Sequence, residues 1–331
     1  MDSSSFSFEC IRASVIIPAY NASGSLPDTL ESVLSQISDA DEVIIVDDGS
    51  TDDTYSVVES YLNDRIRYIY QDNSGGPASP RNTGIRSSRG EFLFLFDSDD
   101  LMLKDKVELS LKALQDNPEA GILFTNFCTI DESGELLKPD FLKNYEFSIE
   151  FFSADGDVAA PIIIDAPRAC LFLARQNFIG TSSVVIPRRV FDDVGFFDES
   201  LRNGDDRDMW FRITRRFPCV YLPRVLHAYR IRGDSISKGA ASKRVGSKLT
   251  VLEKQLADPI NSQFERDIRH LIADNYYSLA YEAFSNGEMA RARTFLNEVR
   301  RYDGVCFRFV KLFGLSLLGK NVVRLLKSAR E

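Results

Sequence analysis

Residues 91–100 read "EFLFLFDSDD": five apolar residues in a row, then three carboxylates within four positions. The apolar run has the length of a strand buried on both faces. Its end is the puzzle, because Asp97, Asp99 and Asp100 disfavour one another's ionisation when crowded together. A cation at the carboxyl end of the strand would resolve it. The stretch thus predicts a covered strand and a ligand at its tip.

The same construction recurs on both sides. "SVIIPAYN" (14–21) leads into "LPDTLESVLSQI" (26–37), "EVIIVDDG" (42–49) into "DDTYSVVESYLND" (52–64), and "IRYIYQ" (66–71) into "GPASPRNTGIRSS" (76–88). The opening stretch is followed by "KDKVELSLKALQDN" (104–117), and "GILFTNFCTI" (121–130) closes the series. Continuous apolar strands alternating with helical stretches define an α/β domain on a mainly parallel sheet flanked by helices. Residues 131–167 are loop-rich. Order resumes in "TSSVVIPRRVFDDVG" (181–195), "DDRDMWFRITRRF" (205–217) and "VYLPRVLHAYRI" (220–231). After about Ser237 helix formers take over. There, "NYYSLAYEAFSNGEMARARTFLNEVRRY" (275–302) predicts a helix pair turning at Asn286-Gly287.

The 331 residues carry a net charge of −9, which excludes a nucleic-acid binder for the chain as a whole. Five isolated cysteines without C-x-x-C spacing suit a reducing compartment and give no zinc site. The first fourteen residues lack a basic and an apolar region, so no signal peptide is expected. No apolar run reaches the ~18 residues of a membrane span. A cytoplasmic protein is expected.

Ligands of open parallel sheets sit at the carboxyl ends of the strands. Three such ends carry polar residues here: Pro18, Ala19 and Tyr20 with Asn21, then Asp47 and Asp48, then Asp97 to Asp100. Asp48-Gly49-Ser50 is also a good turn, and Asp52 a helix cap. Asp97 and Asp99 share a face of the chain, and such hard oxygen donors suit Mg²⁺ or Mn²⁺ when phosphates and water supply the other ligands. In "NSGGPASPRNTG" (73–84) Arg81 is the fixed cation, and no Walker sequence is present; a structural pairing with a nearby acid is the alternative. Asp205 and Asp206 open a helix, where the dipole favours the ionised form that a general base requires. Their plainer reading is a charged cap above Met209, Trp210 and Ile213. His227, late in a strand near these acids, reads as a structural histidine.

"SVIIPAYN", "VIIVDDGSTDDT", "RNTGIRSSRGEFLFLFDSDD" and "FDESLRNGDDRDMWFRI" together resemble the motif series of the inverting family 2 glycosyltransferases of GT-A fold, over about residues 12–235. The resemblance implies a donor half (13–130) and an acceptor half (131–237) after a short tail (1–12), with a helical region at 238–331. It implies that Pro18, Ala19 and Tyr20, with Asp47 or Asp48, hold the base and ribose of a nucleoside-diphosphate sugar, a UDP-sugar above all, and that Arg81 lies near the diphosphate. Asp97 then approaches the ribose or the metal, Asp99 is the principal ligand of Mn²⁺ or Mg²⁺, and Asp206 is the base that deprotonates a hydroxyl of a glycan or lipid-linked acceptor. Three positions depart from the pattern: Asp205 stands where Glu is usual, Arg232 where His is frequent, as a phosphate contact, and Pro80 where a small residue is usual.

Two other functions are open to this sequence. A sugar-phosphate nucleotidyltransferase would carry a lysine in its glycine-rich loop, and "PAYNASGS" has none. A non-catalytic nucleotide-sugar-binding scaffold would not need Asp99 and Asp206. The tail from Cys306 carries Arg308, Lys311, Lys320, Arg324, Lys327 and Arg330 against one acid, with Phe309, Leu312, Phe313, Leu317, Leu318, Val322 and Leu325 as an apolar face. It reads either as a helix lying on the inner face of an anionic membrane or as one packed on the protein or at a homodimer seam.

Overall fold

The computed structural model describes residues 11–145, 160–233 and 241–317. The chain divides after Ser235 into two compact units.

The first unit is built on one mixed sheet. Its strands are β1 (Ala13–Ala19), β2 (Asp41–Asp48), β3 (Ile66–Gln71), β4 (Phe92–Leu95), β5 (Leu101–Met102), β6 (Ile122–Ile130), β7 (Leu136–Lys138), β8 (Ile162–Ile164), β9 (Val184–Pro187) and β10 (Cys219–Arg230). They lie in the order β3-β2-β1-β4-β9-β6-β10-β5, with β7 paired to β6 and β8 to β10. β3, β2, β1 and β4 are mutually parallel, and so are β6 and β10. β9 runs antiparallel to both β4 and β6, which turns those two sets the same way. The principal strands therefore share one direction, as the unbroken apolar runs predict.

Helices α1 (Leu26–Leu34), α2 (Thr54–Glu59), α3 (Ala78–Ser87) and α4 (Lys106–Gln115) connect these strands; α5 (Ala166–Arg175), α6 (Val190–Val194) and α7 (Asp205–Thr214) follow. Leu26, Leu30 and Val33 of α1, Val58 of α2 and Val107, Leu111 and Leu114 of α4 pack with Val15, Ile17, Val43 and Ile45 on one face of the sheet. α3 covers the other. It approaches so closely that a Cβ on Gly84 would lie 2.3 Å from Ile16 Cγ2, which explains a glycine inside a helix despite its cost of about 1 kcal/mol. Because α3 returns from β3, its first turn lies at the carboxyl edge of the sheet and carries Arg81 there.

The loop-rich segment is partly regular. β7 folds back on β6 through a turn in which Gly134 takes a φ of 91°; residues 146–159, part of the expected acceptor segment, lie outside the described residues.

The second unit is helical: α8 (Ala241–Ala257), a 3₁₀ turn (Pro259–Phe264), α9 (Glu265–Ser285), α10 (Met289–Asp303) and α11 (Phe307–Leu317). α9 and α10 turn at Asn286-Gly287, Gly287 adopting a φ of 77°. Small residues on α9 (Ala273, Ala280, Ala283) admit Ala292, Leu296 and Val299 of α10. Phe309 and Leu312 of α11 are buried in this same core, so of the two readings of the tail they follow the helix packed on the protein and are not available to a membrane. The face of α11 left exposed is Phe307, Val310, Lys311 and Leu317. Leu318, Lys320, Val322, Arg324, Leu325, Lys327 and Arg330 lie outside the described residues. Among the described residues no helix is long and apolar enough to cross a membrane.

Candidate active site

β2, β1 and β4 are neighbours, and the register places Ala19 beside Asp47, so the three polar strand ends meet at one edge. The first two interlock. Asn21, at a φ of 49°, donates its backbone N–H to Ser50 Oγ at 2.9 Å and accepts from the Thr51 N–H at 2.8 Å. Gly49 has a φ of 78°, and a Cβ there would sit 2.7 Å from the Asn73 nitrogen; only glycine suits that turn. Asp52 accepts from the Thr54 N–H at 3.0 Å, but the cap position of α2 is Asp53, so Asp52 braces the turn one residue ahead of the cap.

Asp47 and Asp48 are both buried. Asp47 accepts from the Ser50 N–H and the Tyr68 hydroxyl, each at 2.7 Å. Asp48 accepts from Gln71 Nε2 at 2.6 Å and from Ser74 Oγ at 2.9 Å. Their first task is to shape two loops that line the edge. Ala19 is buried, Pro18 partly so, and Tyr20 stands in solvent.

The acidic turn after β4 is held by its backbone. Ser25 Oγ donates to Ser98 O at 3.0 Å, Thr29 Oγ1 to Asp100 O at 2.9 Å, and the Asp97 N–H to Ser182 Oγ at 3.0 Å. Arg230, which sequence reasoning missed, braces it from the end of β10. Its Nε donates to Asp99 O at 3.0 Å, its Nη2 to Asp28 Oδ2 at 3.1 Å, and its backbone N–H to Asp100 Oδ1 at 3.0 Å. With the backbone fixed, the carboxylates have little room to separate. Burial, reinforced by the charge of Asp97, pushes Asp99 up to about 6, while Arg232 and Arg230 pull the other way. Asp100 is raised further by burial and by both neighbours.

Arg81 is a buried guanidinium. Its Nη2 donates to Asp97 Oδ1 and its Nη1 to Asp205 Oδ2, both at 2.8 Å. Burial opposes the charge, and Asp97 and Asp205 more than offset it. Asp205, 3% exposed, is raised to about 6 by burial against the pull of Arg81. Asp206, one residue on, is more open. Its Oδ1 accepts from the Arg207 N–H at 2.7 Å and its Oδ2 from Asn177 Nδ2 at 3.2 Å. Trp210 Nε1 anchors the body of α7 on Ile179 O at 3.1 Å.

Asp97, Asp205 and Arg81 are thus brought into direct contact, with Asp99 and Asp206 adjoining them in sequence. Arg232 is near enough to Asp99 to favour its ionised form. His227 is not part of the cluster. It is fully buried with its ring 4.8 Å from that of Phe127, and burial, then Lys106, pushes it well below its ordinary range. Lys106 is the other unforeseen residue. It is wholly buried, 3.4 Å from Thr125 Oγ1 and 3.3 Å from Ser183 O, and burial lowers it to about 7 against the pull of Asp100.

Among the described residues no group of three or more His, Cys, Asp and Glu forms a metal cage. The chemistry present still fits a divalent ion. Asp99 and Asp97 are hard oxygen donors whose crowding a cation would relieve, and Mg²⁺ or Mn²⁺ takes its remaining ligands from phosphate and water.

Residues 14–178 match the family described as Glycosyl transferase family 2. The chain is 35% identical over 227 residues to an uncharacterized glycosyltransferase of Rickettsia bellii, covering 68% of this chain and 29% of that protein. It is 28% identical over 278 residues to the GalNAc(5)-diNAcBac-PP-undecaprenol beta-1,3-glucosyltransferase of Campylobacter jejuni, covering 82% of each. Its fold matches the crystal structure of S. aureus TarS in complex with UDP-GlcNAc with a TM-score of 0.63 at 17% identity, over 92% of this chain and 90% of that one. This chain spans about a third of the length of three Rickettsia relatives to which it is 31–35% identical. The chain belongs to glycosyl transferase family 2, and its architecture is GT-A.

Proposed function

We propose that this chain is a metal-dependent inverting glycosyltransferase that moves a sugar from a UDP-sugar to a hydroxyl of a glycan or lipid-linked acceptor. The observation that carries the reading is that one buried arginine holds Asp97 on one arm and Asp205 on the other, with Asp99 and Asp206 beside them in sequence. The TarS complex with UDP-GlcNAc supports a uridine donor, and the name of the Campylobacter relative supports a lipid-linked acceptor.

Asp206, oriented by Asn177 and the Arg207 N–H, takes the proton of the acceptor hydroxyl. The acceptor oxygen forms its bond to the anomeric carbon from the face opposite the nucleotide, and the bond to the diphosphate breaks, its electron pair leaving with UDP. The loops shaped by Asp47 and Asp48 seat the base and ribose beside Pro18, Ala19 and Tyr20, and Arg232 faces the phosphates. Asp99 with Asp97 would hold a divalent cation, which would supply Lewis-acid stabilisation of the leaving group. The test is release of UDP from UDP-glucose and UDP-GlcNAc by the full chain, with Mn²⁺ or EDTA. Metal-dependent release is expected; binding of UDP without release from either donor would leave the scaffold reading standing, and no binding of UDP with or without Mn²⁺ would overturn both.

We further propose that the second unit rests on an anionic membrane surface, the apolar residues being those that α11 leaves outward. Phe307 is 84% exposed and Leu317 64%, and the sequence that follows is basic. Apolar side chains entering the acyl boundary beside lysines and arginines give this kind of attachment. Full-length protein is expected to sediment with phosphatidylglycerol vesicles at low salt, and Phe307→Ser with Leu317→Ser to abolish most of it. Equal sedimentation of the two proteins would refute the assignment.

A further inference from the structure

We propose that Arg81 and Asn82 form a clamp that fixes the start of α7 against the end of β4, and that Asp205 is the positioning residue through which this clamp sets Asp206. The proposal rests on the reading of Asp206 as the base.

Arg81 and Asn82 are consecutive on α3 and grip the segment 197–205 at several points. Asn82 Nδ2 donates to Phe197 O at 2.9 Å and to Glu199 Oε1 at 2.7 Å, while its Oδ1 accepts from the Phe197 N–H at 2.9 Å. The Arg81 guanidinium lies 5.7 Å from the centre of the Phe197 ring, and its Nη1 holds Asp205. The other arm holds Asp97. α3 itself is seated on β1 at Gly84 with no space for a methyl group, so the clamp stands on a helix closely packed against the sheet.

α7 needs such an external support. The residue before it is Gly204 at a φ of 81°, and no side chain caps the helix. Arg207 ties the first turn to Leu173 O and Ala174 O, and Trp210 and Arg212 anchor the body of the helix one and two turns further on. At its first residue the anchor is Arg81. A guanidinium fork has fixed spacing and direction, so gripping Asp97 and Asp205 together sets the separation between the donor-side acid and the helix that presents Asp206. With its side chain 6% exposed and both terminal nitrogens engaged, Arg81 acts by holding these acids. Asp205 is equally enclosed, and a glutamate in its place would still present a carboxylate to the fork.

The test measures UDP release from UDP-glucose or UDP-GlcNAc by the full chain. Asp205→Ala and Asn82→Ala are each made alone and together with Asp206→Asn, and Asp205→Glu is made alone. A clamp predicts that Asp205→Ala and Asn82→Ala each lower kcat by about 10–100-fold, the effect of misplacing a reacting group by an ångström or less. KM for the donor stays within about threefold, since binding is not what is lost. Asp205→Glu restores turnover to within about threefold of the wild type. In the Asp206→Asn background neither alanine change costs more than about a further threefold, because residues acting as one unit are not additive. A loss that multiplies fully in that background, or a raised KM with unchanged kcat, overturns the clamp while leaving the base in place. A wild-type rate for Asp206→Asn alone overturns the base and the clamp with it. Asn82 carries no charge, so Asn82→Ala separates the same outcomes if Asp205→Ala does not fold.

Discussion

Asp206→Asn is expected to lower kcat by about 10²–10⁴, the usual contribution of a positioned general base, with UDP affinity nearly unchanged. The substitution keeps the size of the side chain and its acceptor for the Arg207 N–H, which lies 2.7 Å from Oδ1. It removes the basicity, so a loss of turnover reports on proton transfer and not on folding. Asp205 is the natural rival for the role, and the geometry separates them. Asp205 is 3% exposed and committed to Arg81, whereas Asp206 is only partly covered. An acceptor hydroxyl must come within hydrogen-bond reach of its base, directly or through one water. Turnover by UDP release and affinity by calorimetry decide the matter. A wild-type rate in Asp206→Asn would reduce the residue to a helix-terminal charge.

How much of the structure was legible in the sequence depended on the range of the interaction involved. Val15 to Ile17, Val43 to Val46 and Phe92 to Phe96 are buried without interruption, and a continuous apolar run is what such burial requires, so the strands were legible. The reversal of β9 was not. Four residues, "VVIP", carry no mark of direction, which is set by how the chain enters from the segment before them. The acids at the strand ends were legible because charge after an apolar run is conspicuous; their partners were not. Arg81 meets an acid 124 residues away and Arg230 one 202 residues away, and no local pattern encodes such pairings. In "RNTG" the asparagine beside Arg81 was the available hint of a clamp. Lys106 reads as a first-turn surface lysine, yet that turn faces Thr125 and Ser183. For α11 the periodicity identified an amphipathic helix and left open which apolar face turns inward.

Asp99→Ala is expected to abolish metal-dependent donor binding while leaving the fold intact. The reason lies in the environment of the wild-type carboxylate. Burial and the charge of Asp97 raise it from the ordinary 3.8 to about 6. A folded-state value above the unfolded one means that protonating Asp99 favours the fold. That stabilisation is fully present below about pH 4 and is lost as pH rises through about 6. At pH 7 without metal the ionised Asp99 is therefore a burden on the fold. In EDTA at pH 7, Asp99→Ala should melt at the same temperature as the wild type or higher, with the advantage shrinking toward pH 4. Ligand binding should move the other way. Without its principal carboxylate, Mn²⁺-dependent UDP affinity should fall at least about 100-fold, the upper end of what losing even an outer-shell partner of a metal costs. In the wild type the same affinity should weaken as pH drops through about 6, since protons compete with the ion for the carboxylate, and the mutant should lack that dependence. Calorimetric titration of UDP at pH 5.5 and 7.5 (round values on either side of about 6), with and without Mn²⁺, measures both effects. Unchanged affinity and unchanged metal dependence in Asp99→Ala would mean that the crowded acids at the end of β4 answer to a cation other than the donor's, and Asp99 would lose its role.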